Sequence, residues 1–225
     1  MVKISRETSL EVPNIIIIED HPIMRGGLVS YFTGTRRWKV SGAVSNIEDA
    51  KKLLSSPYND SNPAVDLLLI DIQLENEWGL DIIPWLKDKK SVSRGEFSGA
   101  GNKIPRIAVY SAYDDFAHVS AALSIGVQGY ICKHRGEREL ENALLKIMEG
   151  RTYIDDNAQA KLDTNAKLIS LLTKRETEIL TFVKNNLSNN EIASRLGISQ
   201  RTVENILSCV YDKTGIRSRL ELQML

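Results

Sequence analysis

Acids, a hydroxyl and an amine recur in one kind of place in this sequence, directly after a short aliphatic run. Glu19 and Asp20 follow Asn14-Ile15-Ile16-Ile17-Ile18, and Asp71 follows Leu67-Leu68-Leu69-Ile70. Ser111 follows Arg106-Ile107-Ala108-Val109-Tyr110, and Lys133 follows Gln128-Gly129-Tyr130-Ile131-Cys132. Carboxylates crowded together repel one another and call for a cation. All-oxygen ligands favour Mg2+, which keeps several waters and leaves room for a phosphoryl oxygen. A carboxylate can also attack phosphorus and form an aspartyl-phosphate. Such a transfer needs mainly positioning and charge neutralisation. Lys133 offers a second positive charge there, and the Ser111 hydroxyl a donor to a phosphoryl oxygen.

For these groups to meet, the aliphatic runs must be neighbouring strands. An apolar run bounded by acids reads as a strand buried on both faces, as at the centre of a parallel sheet. Pro22 suits the first turn of a helix, with Asp20 or His21 near its cap. Trp38 to Val44 alternates like a strand, and Asn46 can cap a helix carrying Ile47, Ala50, Leu53 and Leu54 on one face. Gly79-Leu80-Asp81-Ile82-Ile83 opens a further helix with Pro84 in its first turns, and Ala117, Ala121 and Ala122 mark another. Glu137 to Glu149 is amphipathic, with Leu140, Ala143, Leu144, Ile147 and Met148 inward. Strand and helix thus alternate five times. This predicts a flavodoxin-like, doubly wound, five-stranded parallel sheet over residues 14–150. Ligands of such sheets gather outside the carboxyl ends of the strands, at the switch point. Residues 1–13 read as an N-terminal arm. Residues 88–103, rich in Lys, Ser, Gly and Asn, read as an insertion.

Composition narrows the class. Apolar residues at 42% and charged residues at 26% predict a soluble globular protein. The opening residues carry no apolar h-region, and the longest aliphatic runs have four residues. These features predict neither signal peptide nor membrane span, hence a cytoplasmic protein with Cys132 and Cys209 as free thiols. The formal charge of zero hides an asymmetry: residues 167–225 carry nine basic and six acidic side chains. That sign suits a nucleic-acid partner.

Residues 151–167 read as a polar, irregular linker. Beyond it, Thr173-x-x-Glu176 and Ser188-x-x-Glu191 are capping boxes, each ahead of an apolar-periodic run. Gly197 suits the end of the second helix, Ser199 caps a third, Gly215 ends it, and Ser218-x-x-Glu221 starts a fourth. Helix, short Gly turn, helix predicts a small all-α, four-helix helix-turn-helix domain over residues 168–225. In DNA binders the second helix of the pair enters the major groove. Arg201, Glu204, Asn205 and Ser208 share one side of it. Glu204 can accept from cytosine N4, and Asn205 can pair with adenine N6 and N7.

Glu19-Asp20-His21-Pro22, Asp71, Gly79-Leu80, Ser111-Ala112 and Gly129-Tyr130-Ile131-Cys132-Lys133 together resemble the receiver domain of two-component response regulators. The resemblance covers residues 14–149. It implies that Asp71 is the phosphoacceptor and that Glu19, Asp20 and the backbone carbonyl of Gln73 join Asp71 in binding Mg2+. It also implies that Ser111 and Tyr130 are a switch pair. Glu75 and His134 depart from the family, standing where proline is common. A phosphatase of the haloacid-dehalogenase type is a rival reading, but it needs a second acid where Gln73 stands, and an amide cannot transfer protons. Leu172 to Leu180, Ser188 to Ala193, Leu196 to Ser199, Thr202-Val203, Lys213 and Arg217-Ser218-Arg219 resemble the LuxR-type DNA-binding domain. This brings Thr202 and Lys213 into the expected DNA-binding set. Glu204, Ile206 and Thr214 stand where members often carry a basic residue, histidine and leucine.

The pair of domains is similar to the NarL/FixJ subfamily of transcriptional regulators. It implies a regulator that accepts a phosphoryl group on Asp71 from a cognate histidine kinase. Such a regulator is a homodimer when phosphorylated and binds double-stranded promoter DNA. It does no chemistry beyond its own phosphorylation and dephosphorylation. The other class in view is a signalling adaptor whose C-terminal helices bind protein.

Overall fold

The structure, a computed structural model, describes residues 12–55, 64–92, 104–223 and 225, and no side chains over 89–92. Its contacts divide the chain into two units, Met1–Tyr113 with Ala122–Ile154, and Asp114–Ala121 with Asp155–Leu225. Most of the expected arm, and residues 93–103 of the expected insertion, lie outside the described residues.

The first part of the chain runs β1 (Asn14–Ile18), α1 (Pro22–Thr35), β2 (Lys39–Val44), α2 (Ile47–Ser55) and β3 (Leu67–Ile70). A hairpin of β4 (Gln73–Leu74) and β5 (Glu77–Trp78) follows, then a 3-10 turn at Gly79–Asp81 and α3 (Ile82–Val92). Next come β6 (Arg106–Ser111), α4 (Phe116–Ile125), β7 (Gly129–Cys132), α5 (Glu137–Met148) and β8 (Tyr153–Ile154). One sheet holds six strands in the order β2-β1-β3-β6-β7-β8, all parallel. Every residue of β3 is buried, so both its faces are covered, as its uninterrupted Leu and Ile require. Ile15, Ile17, Leu67, Leu69 and Ala108 pack with Phe32 of α1 and with Leu140, Leu144 and Ile147 of α5.

Three expectations are corrected here. The sheet has a sixth strand, because β8 joins β7 with Tyr153 N–H donating to Gln128 O at 3.0 Å. Two residues are too few to show a period of two, so sequence pattern could not reveal it. The stretch expected as an irregular linker carries β8 and then α6 (Asp156–Ser170), capped by the buried Asp155 accepting from Asn157 N–H. Ala158 is the sole buried residue of that helix, so no apolar stripe announces it. Helix α3 continues to Val92, so residues 88–92 are helical rather than part of an insertion loop.

The second unit continues with α7 (Lys174–Lys184), α8 (Asn189–Leu196), α9 (Gln200–Thr214) and α10 (Arg219–Gln223). Both expected capping boxes close reciprocally, at Thr173 with Glu176 and at Ser188 with Glu191. Gly197 ends α8 at φ +64°, a left-handed conformation that glycine adopts without a Cβ clash. Ile179, Leu180, Val183, Ile192, Val203, Leu207, Val210 and Leu222 form the core of these helices.

Candidate functional site

Strands β1 and β3 are ladder neighbours with Ile18 opposite Ile70, so the chain leaves the sheet side by side at Glu19 and Asp71. Asp71 N–H donates to Ile18 O at 2.9 Å, and Glu19 N–H to Val44 O at 3.0 Å. Across β6, Lys133 N–H donates to Ser111 O at 2.7 Å. The Lys133 side chain then spans the gap, its Nζ 2.7 Å from Asp71 Oδ2 and 2.7 Å from Glu19 Oε2. Glu19 is 1% exposed and Asp71 6%, so these charges meet largely away from water.

Burial pushes the Asp71 carboxyl above the usual carboxylate range, and the charge on Glu19 adds to the rise, against the pull of Lys133. Burial also works against the Lys133 ammonium, but the carboxylates of Asp71 and Glu19 outweigh it and hold its pKa up. Two carboxylates, Glu19 and Asp71, thus face the single ammonium of Lys133. One donor atom from each of Glu19, Asp20, His21 and Asp71 lies within 4.8 Å of the others. A donor set dominated by carboxylate oxygens, with charge left to neutralise, fits a small divalent cation.

The surroundings hold this cluster in shape. Arg25, one turn into α1, donates from Nη1 to the carbonyls of Glu19 at 2.7 Å and Asp20 at 3.0 Å. Gln73 N–H donates to Asp71 Oδ1 at 3.3 Å, while its side chain is exposed. The chain returns past Asp71 through Gly79, whose N–H donates to Ile72 O at 2.7 Å. A Cβ at Gly79 would lie 1.9 Å from the Asp71 carbonyl oxygen. Glu77 of the hairpin accepts from Ile47 N–H at 3.0 Å, tying the turn after Asp71 to the start of α2.

Ser111 and Tyr130 are both 0% exposed. Ser111 Oγ accepts from Tyr113 N–H at 3.1 Å, and the Tyr130 hydroxyl donates to Tyr113 O at 2.6 Å. Both side chains thus hold the backbone of one residue in the loop after β6. The Tyr130 ring points inward, away from solvent.

In the second unit, Arg201, Thr202, Glu204, Asn205 and Ser208 are all exposed on α9, opposite the buried Val203, Leu207 and Val210. Thr202 takes part in the cap: its N–H donates to Ser199 Oγ at 3.1 Å. Gln200 Nε2 donates to Glu204 Oε1 at 2.8 Å, which steadies that carboxylate. Lys213 differs from the rest of its expected group. Its Nζ lies 2.9 and 2.7 Å from the two oxygens of Glu176, so it fastens α9 to the start of α7.

Sequence reasoning missed Arg25, His21 and Glu77 as parts of the pocket, and Glu176 as the partner of Lys213. An arginine one turn into a helix carries no signal of its own. Glu77 acts through a hairpin of two-residue strands, below the length at which alternation is visible.

The family model described as the response regulator receiver domain matches residues 15–145. The chain belongs to the response regulators. A second model, of bacterial regulatory proteins of the luxR family, matches residues 170–225 of this response regulator. The pairing places it in the NarL/FixJ subfamily. It is 28% identical over 219 residues to the nitrate/nitrite response regulator protein NarL of Escherichia coli strain K12, covering 94% of this chain and 93% of NarL. It is 27% identical over 215 residues to BvgA of Bordetella pertussis, a putative positive transcription regulator of virulence factors, covering 92% and 93%. RcsB from Salmonella enterica serovar Typhimurium, solved bound to a promoter with the phosphomimetic BeF3−, has the same fold, with a TM-score of 0.63. That match has 20% identity and covers 94% of this chain and 96% of RcsB.

Proposed function

We propose that this response regulator is a phosphorylation-controlled, DNA-binding transcription regulator, and that Asp71 accepts the phosphoryl group from a phosphohistidine of its cognate kinase. One observation carries the reading: a buried Asp71 shares Lys133 with Glu19 at the carboxyl ends of adjoining parallel strands. A carboxylate oxygen of Asp71 attacks phosphorus, the P–N bond breaks, and the histidine nitrogen leaves with the electron pair. Lys133 neutralises charge on the phosphoryl oxygens, and the Ser111 hydroxyl turns to donate to one of them. Glu19, Asp20, Asp71 and the Gln73 carbonyl hold Mg2+, which supplies further charge neutralisation. Gln73 offers no acid for fast hydrolysis, so the phosphoryl group is kept as a signal.

Phosphorylation adds about −1.5 to −2 charges at this edge. Ser111 and Tyr130 carry that change to Tyr113, because both hold its backbone. The shifted surface favours a homodimer on a two-fold promoter site. Arg201, Thr202, Glu204, Asn205 and Ser208 face the groove, and Lys213 supports the helix that carries them. A DNA partner and the lack of any helix able to cross a membrane among the described residues suit a cytoplasmic protein.

Intact-mass measurement with a small phosphodonor tests the acceptor. Wild type gains one phosphate in Mg2+ and none with chelator, and Asp71→Asn gains none in either. Equal incorporation in both proteins overturns the assignment. Salt-dependent retention of the full chain on promoter DNA separates the regulator from a protein-binding adaptor, since phosphate contacts release counterions.

A further inference from the structure

Of the four side chains whose metal-ligating atoms converge in the pocket, His21 is the one that is not an acid. Its Nδ1 lies 2.9 Å from Asp20 Oδ1 and 3.2 Å from Glu19 Oε1. The two oxygens of Glu19 are therefore divided, Oε2 facing Lys133 and Oε1 facing His21. The position is fixed from the backbone as well: His21 N–H also donates to Glu19 Oε1 at 3.2 Å, and Pro22 follows as the first residue of α1. The His21 side chain is 71% exposed, so solvent reaches the ring. Among the described residues this is the one place where three or more groups of metal-ligating type converge.

We propose that the pocket also binds an imidazole-preferring divalent cation such as Ni2+, Cu2+ or Zn2+, with His21 Nδ1 as a ligand, and that this cation excludes Mg2+. The inference rests on the reading of Glu19, Asp20 and Asp71 as a cation site. The spacing suits direct ligation. With metal–ligand bonds of about 2.1 Å, neighbouring ligands of an octahedron sit about 3 Å apart. The nitrogen stands at that separation from both carboxylate oxygens. In the cation-bound pocket, the Nδ1 lone pair goes to the metal and any proton on Nδ1 is released to water. Mg2+ keeps its waters and seldom takes imidazole, so it uses the carboxylates and leaves His21 aside. The later first-row cations bind nitrogen more tightly, so His21 discriminates between the two groups. Both groups need the same carboxylates, hence the competition.

Calorimetric titration of the full chain with NiCl2 and, separately, with MgCl2 tests this in wild type, His21→Asn and Asp71→Asn. His21→Asn is expected to weaken Ni2+ binding about tenfold or more, the scale on which ligand-shell changes act. It is expected to leave Mg2+ binding within about twofold. Asp71→Asn weakens both, and Ni2+ bound to wild type suppresses the Mg2+ titration. Copper electron paramagnetic resonance gives a second reading, in which wild type shows nitrogen coupling that His21→Asn lacks. Equal Ni2+ affinity in wild type and His21→Asn overturns the proposal. So does equal loss of Mg2+ and Ni2+ in that variant, or Ni2+ binding indifferent to Asp71→Asn, which puts the metal elsewhere. None of these readouts involves phosphate transfer, so a failure of Asp71 as acceptor is told apart from a failure of His21 as ligand.

Discussion

In the acid pocket, Lys133 reaches Asp71 across 62 residues of chain, and both side chains are largely buried. On α9, Gln200 reaches Glu204 across four residues, and both are exposed. The first arrangement exists only when strands from distant parts of the sequence lie side by side. The second exists wherever the helix does. Groups in the pocket are close-packed and desolvated, so small changes there cost much. Groups on the helix face are solvated and nearly independent, so changes there act locally and by degrees.

The sharpest test of that contrast is Gly79→Ala. The added methyl meets the Asp71 carbonyl oxygen, a backbone atom that cannot swing aside. Overpacking of this kind costs about 3 kcal/mol or more. Denaturant unfolding is expected to show that loss, with phosphate uptake falling because Asp71 is displaced. A variant as stable and as readily phosphorylated as wild type breaks the picture of a tightly determined pocket.

On the helix face, Glu204→Lys turns a repulsion of phosphates into an attraction. Affinity for scrambled duplex is expected to rise about tenfold, near 1.4 kcal/mol, with a steeper salt dependence and a weaker preference for the promoter. Competition binding at two salt concentrations reads this. Unchanged affinities and slopes mean that Glu204 does not face DNA.

Thr173→Ala probes the local construction of the second unit. It removes the acceptor for Glu176 N–H and opens the capping box. The expected cost is about 1 kcal/mol, seen in melting of the second unit with phosphate uptake at Asp71 unaltered. Loss of uptake as well contradicts the independence argued above.

The smallest effect concerns pH. The Lys213 ammonium, then the Thr173 N–H, hold the Glu176 carboxyl below its ordinary value of 4.5. The unfolded chain binds that proton more readily than the folded one. The contribution is therefore complete above about pH 4.5 and fades as pH falls through the lower folded value. Wild type is expected to lose melting temperature over that acid range more steeply than Glu176→Gln. Parallel curves mean that the Lys213 contact contributes nothing.

The same contrast governs what the sequence discloses. Glu19, Asp20, Asp71, Ser111 and Lys133 were legible because each follows an aliphatic run long enough to read as a buried strand. The caps at Thr173, Ser188 and Ser199 were legible because their partners stand three residues away. What escaped lacks both signals. Strand β8 is too short for a period, and α6 buries too little to show a stripe. Arg25 works through carbonyl oxygens, which every residue has. Lys213 could not be told from a DNA contact, because its partner Glu176 is 37 residues away and already explained by a capping box.

Strand β8 has a mechanical meaning. The last of three chain crossings between the two units comes immediately after it, and its Ile154 lies beside Tyr130 in the ladder. The polypeptide thus leaves the sheet through a two-residue splice lying alongside the strand that holds Tyr130 and leads to Lys133. A shift of β7 bears on that splice through the backbone ladder, without passing through any side chain. That crossing therefore lies one ladder step from the residue that holds Tyr113, and Tyr113 itself ends the segment before another crossing.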